Sequence, residues 1–126
     1  MEAKTILFVF IFGGIGSVAR FFAGKLNPPV LTSVPWGTFA ANFAACLIAG
    51  FAAGYFASRP WMKPEIRFSI LTGFCGGFST FSTFSVEAVQ LFQNGNMMTA
   101  AGYILLSLTG CLLGVFAGIG ISKTLS

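Results

Sequence analysis

Charged side chains are sparse along this chain, at Glu2, Lys4, Arg20, Lys25, Arg59, Lys63, Glu65, Arg67, Glu87 and Lys123, and the stretches between them are long and apolar. Four candidate spans follow: residues 5–24, 36–57, 65–92 and 97–122. Each reaches or exceeds the roughly 20 apolar residues needed to cross a bilayer core. Each is too long and too apolar for a strand, and a helix satisfies its own backbone in lipid.

The connections carry matching signals. Asn27-Pro28-Pro29 and Pro35 break the chain before the second span, and Arg59-Pro60-Trp61 ends it. Pro64-Glu65 suits a first helical turn, with the acid near the positive helix end. Asn94-Gly95-Asn96 predicts a tight turn with Asn96 capping the last span. Trp36 and Trp61 fall at span ends, where indole rings favour the headgroup layer.

Composition narrows the class. Only 8% of residues are charged, against about 25% for a soluble domain, so a water-facing surface is excluded. The net charge of +4 contains no basic run, which argues against nucleic-acid binding. The N-terminal stretch has signal-like features, but its apolar character continues past Arg20 through Phe21, Phe22 and Ala23, so it reads as a span. Cys46, Cys75 and Cys111 lie in different spans without ligand-type spacing and read as small buried residues; histidine is absent. The expected architecture is one all-α domain over residues 1–126 with both termini on one side. That side holds Lys4, Arg59, Lys63, Arg67 and Lys123 against Arg20 and Lys25 opposite, a mild bias for cytoplasmic termini.

Small residues recur at steps of four: Ala41, Ala45, Ala49, Ala53 and Ala57, then Gly110, Gly114, Gly118 and Ser122. Such stripes let membrane helices approach closely. A chain this short barely encloses a path across a membrane, so an oligomer, most simply a dimer, is expected.

Polar groups at membrane depth mark function. Arg20 follows Lys4 after 15 uncharged residues, roughly 22 Å of helix, and reads either as snorkelling or as lining a vestibule. Thr38 and Asn42 share one helix face. Thr99, Tyr103, Ser107 and Cys111 form a stripe on the last span. The third span has three glycines, Gly73, Gly76 and Gly77, that weaken the helix, then a three-residue repeat: Phe78, Phe81 and Phe84; Ser79, Ser82 and Ser85; Thr80 and Thr83. Glu87, near the end of span three, is the only candidate membrane carboxylate. Without histidine, no nucleophile–base pair is available, so an enzyme is not expected. Neutral donors and phenylalanine edges suit a small anion that must enter and leave freely.

These motifs resemble the Fluc/CrcB fluoride channels. Gly37-Thr38-x-x-x-Asn42 heads span two, Gly76-Gly77-Phe78-Ser79-Thr80-Phe81-Ser82-Thr83-Phe84-Ser85 fills span three, and a glycine-rich stretch ends in Arg20. The resemblance implies four transmembrane helices with the third broken mid-membrane, assembled as an antiparallel, dual-topology homodimer in the lipid of the bacterial inner membrane. It implies passive fluoride export and a structural sodium ion at the dimer interface. Carried onto this chain, Phe81 and Phe84 are pore rings and Asn42 the pore amide. Ser82, Thr83, Thr38, Tyr103 and Ser107 line the path, and Arg20 sits at a vestibule. Gly76 and Ser79 give carbonyls to sodium, while Glu87 and Cys111 receive no settled role. The competing readings are a small multidrug-type proton-coupled cation exporter, which needs an essential membrane carboxylate, and a structural subunit that conducts nothing.

Overall fold

The computed structural model describes residues 2–125. The chain is all-helical among the described residues: α1 (Ala3–Ala23), α2 (Trp36–Ala57), α3 (Pro64–Phe68), α4 (Gly76–Phe78), α5 (Phe81–Gln93) and α6 (Met97–Thr124). A short 3-10 turn, Gly24–Leu26, extends α1, and a π-helical stretch, Ser69–Cys75, joins α3 to α4 without a break. Among the described residues, three helices are long and apolar enough to cross a membrane: Ala3–Leu26, Trp36–Ala57 and Met97–Thr124.

Two close helix pairs build the fold. In the first, α1 lies on the rod formed by residues 64–78. A Cβ on Gly16 would come within 2.8 Å of the Phe78 amide nitrogen, and one on Gly77 within 3.0 Å of the Ser17 nitrogen. In the second, α2 and α6 run in the same direction. Gly110 meets Phe39, Gly114 meets Phe43, Gly118 meets the Leu47–Phe51 backbone and Ser122 meets Gly54. The small-residue stripe of α6 is therefore spent on α2 within one chain. The alanine stripe of α2 runs from buried Ala41 and Ala45 to exposed Ala53 and Ala57. Helix α5 seals the end of the second pair through a core of Phe84, Ala88, Leu91, Ala100 and Tyr103.

Two local expectations change. The glycines do not break the helical run of residues 64–78. Gly73 and Gly77 are close-approach points against α1, while Gly76 faces open space. The chain leaves helical conformation just beyond them, at Ser79 (φ −88°, ψ 155°) and Thr80 (φ −150°, ψ 118°). This interruption also divides the phenylalanine repeat: Phe78 packs on Phe74, whereas Phe81 stacks on Phe84. Asn96 precedes α6 but makes no side-chain cap bond; its amide donates to the Asn94 carbonyl instead. The turn itself forms as expected, with Gly95 at φ 81°.

Candidate functional site

The interruption at Ser79–Thr80 is closed by side chains from other helices. Within it, Thr80 caps α5, its Oγ1 accepting from the Thr83 amide at 3.0 Å. Asn42 on α2 pairs with both main-chain groups of Thr80. Its Oδ1 accepts from the Thr80 N–H at 2.7 Å, and its Nδ2 donates to the Thr80 carbonyl at 3.2 Å. Arg20 Nε donates to the Gly77 carbonyl at 3.1 Å. Asn42, expected as a pore amide, thus has both ends of its amide engaged by backbone, although it still borders a cavity.

The interruption leaves four carbonyls, of Gly76, Gly77, Phe78 and Ser79, without their helical donors, and Arg20 serves that of Gly77. In a continuous helix the Thr80 amide would bond the Gly76 carbonyl and the Thr83 amide the Ser79 carbonyl. One turns to Asn42 and the other to Thr80 Oγ1. Oxygens freed in this way fit a hard cation such as sodium, which takes oxygen ligands.

A second polar cluster surrounds Glu87, which is buried where α5 meets α2 and α6. Thr38 Oγ1 donates to Glu87 Oε2 at 2.8 Å, Asn27 Nδ2 donates to the same oxygen at 3.2 Å, and the Tyr103 hydroxyl donates to Oε1 at 2.9 Å. Asn27 also accepts from the Thr38 amide at 3.0 Å, serving the start of α2, where Pro35 offers no side-chain cap. The Tyr103 ring packs edge-on to Phe84 at 5.1 Å. Asn27 was read from sequence only as part of a chain break; nothing local distinguishes it, because its partner Glu87 lies 60 residues away.

The remaining expected residues gather around three cavities. One, of about 190 Å³, is bordered by Asn42, Ser79, Phe81, Phe84, Ser107 and Cys111. Phe84 is buried in its wall, while Phe81 stacks on it and is 68% exposed. The Ser107 hydroxyl is buried and has no hydrogen-bond partner. A second cavity, of about 310 Å³, joins Arg20 and Lys25 to Thr38, Thr80 and Thr83. A third, of about 440 Å³, brings Ser82 and Thr83 to Glu87 and Asn27. Tyr103 is fully enclosed and meets the site through Glu87 and Phe84.

Residues 7–119 match the model of a family described as CrcB-like protein, Camphor Resistance (CrcB). The chain belongs to the CrcB-like family. It is similar to a protein named fluoride-specific ion channel FluC from Flavobacterium psychrophilum, 39% identical over 97% of this chain and 99% of that relative. Relatives of the same name from Pseudomonas aeruginosa and Pectobacterium atrosepticum are 44% and 41% identical, over 92% and 87% of this chain and 91% and 87% of theirs. This CrcB-like chain is a multi-pass membrane protein, and the family's activity is that of a channel rather than an enzyme.

Proposed function

We propose that this chain forms a fluoride-selective channel through which fluoride leaves the cytoplasm passively, protecting the cell from fluoride toxicity. The name carried by its relatives supports the reading, and one structural observation carries it: the buried, unpartnered Ser107 hydroxyl borders a cavity shared with Phe81 and Phe84. A free buried donor is costly unless something accepts from it. A fluoride ion does so, and positive ring edges add about 1 kcal/mol each. Neither contact traps the anion, which conduction requires. Asn42, Ser82, Thr83 and Thr38 supply further polar wall, Tyr103 acts through Glu87 and Phe84, and the Arg20–Lys25 cavity gathers anions at a vestibule in the inner membrane.

In this reading residues 64–78 and α5 together make the third of four spans, interrupted at Ser79–Thr80. Two copies pack antiparallel in lipid, each covering the other's exposed apolar surface. The carbonyls of Gly76 and Ser79 hold a sodium ion between them, which supplies a fixed positive charge to offset their dipoles. The exporter reading gives way because the relatives are named as channels.

Purified protein in liposomes provides the test. Fluoride efflux, followed with a fluoride electrode, should far outpace chloride efflux. Equal rates for the two anions, or no flux of either, reject the proposal.

A further inference from the structure

Two of the three cysteines, unremarkable in sequence, meet in space. Along the α2–α6 crossing Gly50 packs on Val115, with its missing Cβ 2.8 Å from the Val115 Cα. One turn back on each helix stand Cys46 and Cys111, and one turn further back stand Asn42 and Ser107. All four border the same cavity of about 190 Å³. Cys46 and Cys111 thus occupy matching turns of two packed helices on one cavity, and both are free. Cys75 is buried and does not border this cavity. No group of three or more His, Cys, Asp or Glu side chains able to hold a metal occurs among the described residues. Two thiols side by side with no third ligand suit a soft cation of linear, two-coordinate habit, since thiolates select soft metals.

We propose that Cys46 and Cys111 form a two-thiolate site for a soft cation such as Ag⁺, and that the bound ion obstructs the cavity. Each thiol gives up its proton to solvent as its sulfur bonds the metal, so binding releases protons and needs no oxidant. The metal then sits one helical turn from Ser107 and Asn42, beside Phe81 and Phe84. The obstruction, though not the binding, rests on the reading of this cavity as part of the fluoride path.

Two measurements separate these claims. In the first, purified full-length chain is titrated with silver nitrate in chloride-free buffer and the bound silver is quantified. One ion per chain is expected. Cys46→Ala and Cys111→Ala should each lower affinity at least about tenfold, since losing a ligand costs no less than losing its outer-shell support. Cys75→Ala should bind like the parent. Single variants that bind as tightly as the parent, or a Cys75→Ala chain that loses binding, overturn the site. In the second, fluoride efflux from liposomes is followed before and after silver, each variant scaled to its own silver-free rate. Flux should stop in the parent and in Cys75→Ala, return on adding dithiothreitol, and persist in the Cys46→Ala/Cys111→Ala double variant. Silver held by both thiols with flux unchanged overturns the obstruction alone. A parent without fluoride flux refutes the channel reading and with it the obstruction, while the titration still decides the site.

Discussion

The bundle holds two polar clusters that look alike in composition and differ in what they satisfy. At the helix interruption, Asn42, Arg20 and Thr80 spend their hydrogen bonds on main-chain groups. Around Glu87, side chains bond side chains: Asn27, Thr38 and Tyr103 converge on one carboxylate. Beside both clusters, Ser107 has no partner. In an apolar interior every polar atom must be paired, so an amide filling a backbone gap reads as architecture. A carboxylate ringed by donors is likewise already satisfied, whereas the Ser107 hydroxyl, which bonds nothing in the chain, leaves capacity for an anion.

Substitutions that hit one cluster and spare the other sharpen this contrast. The largest effect is expected for Asn42→Ala, which leaves the Thr80 N–H without an acceptor and takes one of two donors from the Thr80 carbonyl, the other being the Phe84 amide of α5. The orphaned buried N–H costs about 1–3 kcal/mol and the lost second bond to the carbonyl about 1 kcal/mol, so the loss should approach about 4 kcal/mol. Thermal unfolding in detergent measures it, and a loss under about 1 kcal/mol would mean the interruption holds without Asn42. Glu87→Gln should cost about 3 kcal/mol, because an amide cannot accept from three donors as a carboxylate does, and fluoride flux should fall with it. Unchanged stability and flux would show that the cluster is incidental. Gly77→Ala comes next, at about 2 kcal/mol, because the added methyl meets the backbone of α1. A neutral result in the same unfolding assay would mean the α1 contact yields.

These effects also mark what sequence could disclose. The long charge-free stretches place α1, α2 and α6 to within a few residues, because lipid imposes length and apolarity on each helix separately. The Thr99–Tyr103–Ser107–Cys111 stripe is likewise local, since one helical period sets its face. The interruption was expected at the glycines, which are the local signal for a weak helix. It lies at Ser79–Thr80 because Asn42, 38 residues away, captures both Thr80 main-chain groups. The pairing of Asn27 with Glu87 and the meeting of Cys46 with Cys111 depend in the same way on how separate helices pack, and no spacing along the chain encodes them.

The smallest loss of stability is expected at Ser107, the one hydroxyl on the proposed fluoride path that is buried without a partner among the described residues. Ser107→Ala removes a buried hydroxyl that bonds nothing within the chain, so stability should not fall and should rise by up to about 1–3 kcal/mol as the cost of the unpaired group is relieved. Fluoride passing that hydroxyl would lose a donor, so the flux should fall. Fluoride efflux from liposomes, scaled to the amount of folded protein, decides the matter. A clear drop in flux with no fall in unfolding temperature is the predicted result, and full flux in a fully folded Ser107→Ala variant would contradict it.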